Sequence, residues 1–390
     1  MIKRNIEENL KKYFKQYPVV VLTGPRQSGK TTIVKKLFPK LAYVNLEDLE
    51  LREFAEEDPK GFLNQYGDHL IIDEVQRVPS LFSYIQLIVD EKKENGMYVL
   101  TGSQNLLLME KINQSLAGRV AILKLLPFSM SELQNANKIL KKDTISDILF
   151  AGFYPKIYDQ KMDIAQYYLN YTQTYIERDV RLLKNIGNLS KFKRFLTLVA
   201  ARVGQILNVT SLADDCGINY KTATEWLSIL EASYIIFLLQ PHYKNYNKRV
   251  TKMPKIYFYD TGLLCSLLNI EKATQVDTHF LKGSIFESFV IIDILKQRYN
   301  NAKKVGLFYW RDKLGNEVDL IVEQSEGVIP IEIKVGQTVR SDFFKGLNYY
   351  NNLAQIDSKK SYVVYGGNEK QLNKNGNVVS WRDITNILSE

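Results

Sequence analysis

Short apolar runs alternate with amphipathic stretches in the N-terminal part of the chain. The runs are rich in β-branched residues and lie near residues 18–23, 42–45, 69–73, 97–102 and 119–125. Runs of this length are typical of strands buried on both faces, and the stretches between them have the apolar spacing of helices. Strands that alternate with helices predict a parallel α/β sheet, which we place in a domain of residues 1–135.

The middle of the chain has mainly helical periodicity. The predicted helices cover Tyr167–Leu183, Lys191–Val203 and Thr222–Leu230, and the predicted strands cover Tyr234–Leu239 and Lys255–Tyr259. In SLADDCGINYKTATEWLSIL, the apolar residues Leu212, Ala213 and Ile218 flank a central Gly217, a pattern typical of a helix-turn-helix. We therefore predict a helical and winged-helix domain over residues 136–270.

Strand patterns return in the last part of the chain. The predicted elements of this domain, residues 271–390, are helices over Gly283–Gln297 and Asp342–Ala354 and strands over Leu307–Arg311, Glu317–Glu323 and Val328–Val335. In the last of these strands Ile331 and Ile333 share one face, whereas Glu332 and Lys334 share the other. The two charged side chains are therefore expected to point to one spot.

A glycine-rich loop, GPRQSGKTT, follows the first predicted strand and precedes the helical pattern IVKKLF. Gly24, Gly29, Lys30 and Thr31 have the spacing of a phosphate-binding loop in this strand–loop–helix context. Lys30 would reach the β- and γ-phosphates of ATP, and Thr31 would offer its hydroxyl to Mg²⁺. The predicted ATP contacts are Gly24, Pro25, Arg26, Gln27, Ser28, Gly29, Lys30, Thr31, Thr32 and Ser103. A glycine-rich turn that binds no nucleotide is the alternative.

Two carboxylates end the predicted strand in HLIIDE. Ligands of parallel α/β sheets bind at the carboxyl ends of the strands. Asp73 is therefore predicted to hold Mg²⁺ through water, and Glu74 to polarise the attacking water. A turn or a helix cap is the alternative for this pair, but the loop upstream favours the nucleotide site. Glu74 in particular indicates hydrolysis.

Polar residues and arginines supply further candidates for the same site. Ser103, Gln104 or Asn105, after the fourth strand, would contact the γ-phosphate or the water. Arg119 in SLAGRV would stabilise transition-state charge, in its own subunit or across an interface. A surface salt bridge is the equally weighted alternative for Arg119. Arg26 is a second candidate cation.

Composition narrows the choice of partners and compartment. The chain has 390 residues and a net charge of +9, which favours an anionic partner, nucleic acid first, although many lysine-rich proteins bind no polyanion. The first residues form a charged amphipathic helix rather than a signal peptide, and no apolar run is long enough to span a membrane. The two cysteines, Cys216 and Cys265, suit a reducing compartment, so we expect a cytoplasmic protein.

The segment KNYNKRVTKMPK is a candidate wing. Its basic residues are Lys244, Lys248, Arg249, Lys252 and Lys255, and it has no acidic residue. The predicted second helix of the helix-turn-helix offers Asn219, Lys221, Thr222 and Thr224 to a groove. We predict nucleic-acid contacts by Lys221, Thr222, Lys248, Arg249 and Lys252. Docking of domains without nucleic acid is the alternative, and Glu225 on that helix weakens the case for base readout.

Acidic residues of the last domain form a candidate metal site. Asp319 lies on the strand next to Glu332, and both are predicted to bind Mg²⁺ with hard oxygens. Lys334 would orient or deprotonate the attacking water, and Glu287 would join from a helix as an extra ligand or base. The order resembles that of restriction-endonuclease-like nucleases. A retired nuclease fold with a buried salt-bridge cluster is the alternative.

Motifs in both halves of the chain resemble one family. They are LTGPRQSGKTT, LIIDEVQRVPSLFSYIQLIVD, LTGSQNLLL and SLAGRVAILKLLPFSMSEL, then YIERDVRLL, SLADDCGINYKTATEWLSILEASYII, KRVTKMPKIYFYDTGLL, GSIFESFV and NEVDLIVEQSEGVIPIEIKVG. The chain thus resembles predicted AAA+-superfamily ATPases of archaea and bacteria that carry a C-terminal domain of unknown function. The resemblance implies an N-terminal P-loop AAA+ parallel-sheet domain, a central winged-helix segment and a C-terminal restriction-endonuclease-like α/β domain. Gln104 departs from the family, where a second Ser is expected.

Two functions follow from these expectations. In the first, the protein binds and hydrolyses ATP with Mg²⁺ and acts on DNA through the winged helix and the nuclease-like domain. The alternative is a nucleotide-operated switch whose C-terminal domains bind a protein partner and whose nuclease fold is inactive. A homo-oligomer is compatible with both.

Overall fold

The structure is a computed structural model. It describes residues 1–103, 115–176, 189–242 and 252–388. The chain forms two compact units, of which the first comprises residues 1–128, 232–234 and 298–303 and the second residues 129–231, 235–297 and 304–390. The predicted division into domains of residues 1–135, 136–270 and 271–390 stays a prediction.

A five-stranded sheet forms the centre of the first unit. Its strands are β1 (Val19–Thr23), β2 (Ala42–Asn45), β3 (Leu70–Asp73), β4 (Tyr98–Gly102) and β5 (Val120–Lys124). The order is β2-β3-β4-β1-β5, and all the neighbouring strands are parallel. The predicted parallel α/β sheet is therefore confirmed, and its strands lie where the apolar runs placed them.

Helices cover both faces of this sheet. They are α1 (Glu7–Gln16), α2 (Lys30–Leu37), α3 (Leu49–Glu57), α4 (Pro59–Tyr66) and α5 (Leu81–Lys92). Val19 and Val21 pack into one hydrophobic cluster, whereas Val20 and Leu22 pack into the other. Burial on both faces is the physical reason why β1 is continuously apolar rather than alternating.

The second unit begins with helices and ends with a mixed sheet. Its helices are α6 (Met130–Asn135), α7 (Ile145–Ala151), α8 (Pro155–Gln160), α9 (Ile164–Tyr171), α10 (Leu189–Ala200), α11 (Val209–Cys216), α12 (Tyr220–Ala232), α13 (Thr261–Leu267), α14 (Ala273–Thr278), α15 (Lys282–Asn300) and α16 (Lys345–Ala354). Its remaining strands are β6 (Ile236–Pro241), β7 (Lys255–Phe258), β8 (Leu307–Arg311), β9 (Glu317–Gln324), β10 (Gly327–Lys334), β11 (Tyr362–Tyr365), β12 (Gln371–Asn373) and β13 (Gly376–Ser380).

These eight strands form one sheet in the order β12-β13-β11-β10-β9-β8-β6-β7. β10 is antiparallel to β9 and parallel to β11, so the sheet is mixed. Strand β9 packs against α16 through a cluster that includes Val318, Ile321, Leu347 and Tyr350. The mixed α/β fold class predicted for the chain is therefore confirmed.

A helix-turn-helix is formed by α11 and α12. Gly217 ends α11 in the left-handed conformation, with φ of 66°, which a glycine adopts at low cost. The antiparallel pair β6–β7 follows. The segment that joins these two strands contains Lys248 and Arg249, which lie outside the described residues. The designation as a winged helix therefore stays a prediction.

Within the described ranges, no helix has both the length and the apolar character needed to cross a bilayer.

The buried Asp260 carboxylate stabilises the helical part of the second unit. It accepts hydrogen bonds from the backbone N–H groups of Phe153 (2.7 Å) and Leu263 (3.0 Å), and Asp260 is only 2% exposed. Asp260→Ala leaves both N–H groups without this acceptor, at a cost of about 3 kcal/mol. We expect the melting temperature to fall by roughly 10 °C in scanning calorimetry.

The matched control is Asp163→Ala, which removes an exposed cap that accepts from the N–H of Gln166. An exposed cap contributes about 1 kcal/mol, so the control shifts the melting temperature by roughly 3 °C. Equal shifts in the two variants would contradict the importance assigned to Asp260.

Candidate nucleotide site and C-terminal charged cluster

The loop between β1 and α2 has the backbone conformation of a phosphate-binding loop. Gly24 has φ of +149° and Gly29 has φ of +94°. A Cβ atom at Gly24 would lie 2.1 Å from the carbonyl oxygen of Leu125, so no other residue fits there without a shift of the backbone. The local fold thus explains the first glycine by close approach and the second by its positive φ.

The side chains of Lys30 and Ser28 are buried at the loop. Lys30 is 6% exposed, and its Nζ donates to the carbonyl oxygens of Gly24 (2.9 Å) and Pro25 (2.8 Å), which holds the ammonium across the loop. Among the described residues, the buried Ser28 hydroxyl finds no hydrogen-bond partner. Because unsatisfied buried hydroxyls are costly, this orphan group favours a bound polar ligand such as a phosphate.

Asp73 is bonded by hydroxyl groups of three other elements. Thr31 Oγ1 donates to its Oδ2 at 2.6 Å, and the Tyr43 hydroxyl donates to the same oxygen at 2.9 Å. Thr101 Oγ1 donates to Oδ1. Burial and the negative charge of Asp73 raise the pKa of Tyr43, so this phenol stays protonated and donates. The structure therefore brings Thr31 and Asp73 together as predicted, with Tyr43 and Thr101 as partners that sequence reasoning missed.

The donor set at this point suits Mg²⁺. The hydroxyl of Thr31 and the carboxylate of Asp73 are hard oxygen ligands in direct contact, at the N-terminus of α2 and the end of β3. Both sit next to the loop that holds Lys30. These residues would hold the metal directly or through its water molecules.

Glu74 follows Asp73 in a left-handed backbone conformation with φ of 55°. Such a conformation is uncommon outside glycine and is often found at functional sites. Its Oε2 accepts from Gln76 Nε2 at 2.5 Å and from Ser103 Oγ at 3.1 Å. Ser103 therefore contacts the candidate base. Gln76 is an orienting residue that no sequence pattern indicated.

The candidate arginines lie in ion pairs. Arg26 Nη1 is 3.4 Å from Glu47 Oε1, and the same carboxylate oxygen is 4.0 Å from Arg77 Nη2. Arg119 pairs with Asp90 through two nitrogens, with Nη2 at 2.8 Å from Oδ2. This is the surface ion pair weighed as the alternative for Arg119. Gln104 and Asn105 lie outside the described residues.

The strand register also decides where Arg119 can act. Arg119 precedes β5, and Val120 pairs with Val19 at the start of β1. The phosphate-binding loop follows the other end of β1, about 13 Å away at 3.3 Å per residue. A role of Arg119 at the γ-phosphate would therefore require a neighbouring copy of the chain.

In the second unit, Asp319, Glu332 and Lys334 converge. Lys334 Nζ lies 2.6 Å from Glu332 Oε1 and 3.2 Å from Asp319 Oδ2, and the N–H of Ile333 donates to that same Asp319 oxygen at 2.8 Å. Both acids are nearly buried, at 8% and 7% exposure for Asp319 and Glu332. The other Glu332 oxygen, Oε2, is buried and has no hydrogen-bond partner in the part of the chain that the structure describes.

Electrostatics at this point favour additional positive charge. Burial, and then the charge of Asp319, raise the pKa of Glu332 to about 8. Burial by itself lowers the pKa of Lys334, but the charges of Asp319 and Glu332 raise it overall, so its ammonium stays charged. Burial opposes a second ionised carboxylate beside Asp319, and Lys334 offsets this only in part.

A second group of charged side chains lies beside Asp319, Glu332 and Lys334. Lys255, on β7 and 4% exposed, pairs with Glu317 and lies 3.4 Å from Glu287 Oε1. The Tyr257 hydroxyl also donates to that Glu287 oxygen, and Arg311 Nη1 is 3.2 Å from Glu317 Oε2. Burial and the Asp319 charge raise the pKa of Glu287 to about 7. Lys255, counted in the sequence as part of the basic wing, is therefore a buried partner of acids.

Among the described residues, no group of three or more His, Cys, Asp or Glu side chains is arranged to hold a metal ion. The candidate metal ligands of the second unit are therefore the pair Asp319 and Glu332. Glu287, predicted as an extra ligand or base, is bonded to Tyr257 and Lys255.

The predicted nucleic-acid residues of α12 are accessible. Lys221 and Thr224 are exposed, and Thr222 donates its backbone N–H to Asn219 Oδ1 at 2.7 Å. Lys252 is also exposed. The helix thus presents polar side chains at its N-terminal end, and their contact with nucleic acid stays a prediction.

Three family models match parts of the chain. Residues 16–134 match the model described as AAA domain. Residues 142–274 and 282–384 match two models described as domains of unknown function, DUF8612 and DUF4143.

Several uncharacterized proteins are similar over most of their length. One of Mycobacterium tuberculosis and one of Mycobacterium bovis are each 29% identical over 337 residues, which is 85% of this chain and 74% of each relative. Another, of Haemophilus influenzae, is 19% identical over 344 residues, which is 81% of this chain and 82% of the relative.

Solved structures are similar to parts of the chain. The Walker-type ATPase of Pyrococcus abyssi has a TM-score of 0.47 and 14% identity, over 67% of this chain and 94% of that chain. AMPPCP-bound DnaA from Aquifex aeolicus has a TM-score of 0.29 and 13% identity, over 58% of this chain and 85% of that chain.

Residues 16–134, which match the AAA domain model, contain the five-stranded parallel sheet and the phosphate-binding loop, an arrangement typical of P-loop AAA+ ATPases that supports nucleotide binding and hydrolysis.

Proposed function

We propose that the first unit hydrolyses ATP in a Mg²⁺-dependent reaction. The observation that carries this proposal is the 2.6 Å hydrogen bond between Thr31 Oγ1 and Asp73 Oδ2. It joins the start of α2, just after the phosphate-binding loop, to the carboxylate at the end of β3. These are the pair of groups that a Mg²⁺–nucleotide complex requires.

The residues of the loop bind and orient the triphosphate. Backbone N–H groups of the loop and the N-terminus of α2 face the phosphate oxygens, and Lys30 contacts the β- and γ-phosphates. When bound, Mg²⁺ supplies positive charge to the same oxygens, next to Thr31 and Asp73.

Glu74 acts on the water. Its carboxylate, oriented by Gln76 and Ser103, accepts a proton as the water oxygen attacks the γ-phosphorus. The bond between the γ-phosphorus and the bridging oxygen breaks, so that ADP and inorganic phosphate leave. Besides Lys30, Arg26 on the loop is a candidate cation for the developing charge.

Two substitutions separate binding from turnover. Lys30→Ala removes the cation that contacts the phosphates, so ATP binding and phosphate release should both fall. Glu74→Gln preserves the hydrogen-bonding shape but cannot accept the proton, so turnover should fall about 10²–10⁴-fold while ATP still binds. Phosphate release and the binding of a fluorescent ATP analogue measure the two properties.

Glu91→Gln, an exposed position near the end of α5, is the matched control and should keep wild-type turnover. Undiminished turnover of Glu74→Gln would contradict the role assigned to that carboxylate.

As a second function, we propose that the C-terminal charged cluster, formed by Asp319, Glu332 and Lys334, cuts nucleic acid with a divalent metal ion. The supporting observation is the buried Glu332 Oε2, which lacks a partner among the described residues and lies beside Asp319 and Lys334. Asp319 and Glu332 would hold the metal, and Lys334 would orient the water and stabilise the charge that develops on the phosphate. Glu287 would support them from α15.

DNA contacts by the helix-turn-helix and by the segment between β6 and β7 would bring the substrate. The proposed contact residues are Lys221, Thr222, Lys248, Arg249 and Lys252. The net charge of +9 supports a polyanionic partner. ATP hydrolysis would then control access to the nucleic acid.

The alternative is a nucleotide-operated switch that binds a protein partner. It is favoured by the contacts of Lys334 with both acids, because such a cluster also stabilises a fold without catalysis. The buried thiols of Cys216 and Cys265 suit a reducing compartment, and we propose the cytoplasm for either function.

A panel of cleavage assays distinguishes the nuclease from the protein-binding switch. Duplex, single-stranded and branched DNA and RNA are incubated with the protein, with and without ATP and Mg²⁺. We expect cleavage that requires Mg²⁺ and that Asp319→Ala, Glu332→Ala and Lys334→Ala each abolish, whereas Lys345→Ala, an exposed position on α16, cleaves normally.

Absence of cleavage by the wild type on every substrate would overturn the nuclease proposal. Unchanged nucleic-acid affinity of the Lys248→Ala and Arg249→Ala variants would further favour the protein-binding switch.

A further inference from the structure

Arg4 lies against the phosphate-binding loop from outside the motif. It precedes α1 and is only 5% exposed. Its Nη1 donates to the carbonyl oxygen of Ser28 at 2.9 Å, and its Nη2 donates to the carbonyl oxygen of Leu126 at 2.6 Å. The guanidinium also stacks on the ring of Phe128, with its central carbon 4.7 Å from the ring centroid.

The hydrogen bond to Ser28 constrains the direction of a loop N–H. In a planar trans peptide, the C=O of one residue and the N–H of the next point in opposite directions. Because Arg4 holds the Ser28 carbonyl on its own side, the N–H of Gly29 is turned to the opposite side. In phosphate-binding loops, N–H groups that are turned inward in this way contact the phosphate.

The guanidinium is also close enough to act through its charge. A Cβ atom placed on Gly29 would be 3.9 Å from Arg4 Nη1. Arginine stays charged at any physiological pH, and partial burial weakens screening by the solvent. Arg4 therefore adds a fixed positive charge behind the loop.

The surroundings of Arg4 hold it in place. Its backbone N–H donates to Glu7 Oε1 at 3.0 Å, and Glu7 in turn pairs with Lys36 at 2.9 Å. Lys36 lies on α2, the helix that begins at Lys30. The segment before α1 is thus tied to the loop and to the helix that follows it.

We propose that Arg4 is a positioning residue of the nucleotide site, which fixes the Ser28–Gly29 peptide and raises the affinity for nucleoside di- and triphosphates. This inference rests on the proposed function of the first unit. Because the peptide contacts phosphates in both the substrate and the product, its effect is on binding rather than on the chemical step.

The test compares Arg4→Gln and Arg4→Lys with Lys3→Gln, a matched change at the exposed neighbouring position. The Kd values for fluorescent ADP and ATP analogues are measured together with KM and kcat. We expect Arg4→Gln to raise both Kd values and KM about tenfold, the size of effect of one charged hydrogen bond, with kcat changed less than about twofold.

Arg4→Lys keeps the charge but cannot reach both carbonyl groups with a planar fork, so its Kd should lie between those of the wild type and Arg4→Gln. This variant also covers the case in which Arg4→Gln fails to fold. Lys3→Gln should bind as the wild type does.

The outcomes separate the inference from the function on which it rests. Wild-type Kd values in Arg4→Gln and Arg4→Lys, with only a lower melting temperature, would show a purely structural arginine and overturn the inference alone. A wild-type protein that binds neither nucleotide would overturn the proposed function and the inference together.

Discussion

The carboxylate of Asp73 is the point on which the nucleotide site depends. It ends β3 and accepts hydrogen bonds from Thr31 on α2, Tyr43 on β2 and Thr101 on β4. One side chain thus ties the phosphate-binding helix to three neighbouring strands. If Thr31 turned to a metal ion, Tyr43 and Thr101 would still hold one carboxylate oxygen each and would keep the orientation of Asp73.

Local patterns were sufficient to predict much of the first unit. The strands β1, β3 and β4 are buried on both faces, which explains their continuous apolar sequences, whereas the edge strands β2 and β5 are partly exposed. The loop from Gly24 to Thr31 is recognisable because the local backbone geometry requires its glycines. Tyr43 and Arg4 were not predictable, because their contacts depend on the order of the strands and on partners such as Leu126, 122 residues away from Arg4.

The C-terminal cluster was likewise predictable only in part from the sequence. Strand periodicity predicted that Glu332 and Lys334 share a face, and the pairing of β9 with β10 brings Asp319 to them. Sequence reasoning missed Glu317, and it counted Lys255 with a basic surface segment. A lysine in a basic run looks like a phosphate contact, and only the fold shows that its strand carries it into a buried group of acids.

The central claim is that the loop and the strand-end carboxylates form one Mg²⁺–ATP site. Calorimetric titration of the purified chain with ATP, with and without Mg²⁺, tests it most directly. The account predicts one ATP bound per chain, with an affinity that Mg²⁺ increases and that Thr31→Ala makes insensitive to Mg²⁺. An affinity of the wild type that does not respond to Mg²⁺, or the absence of binding, would contradict it.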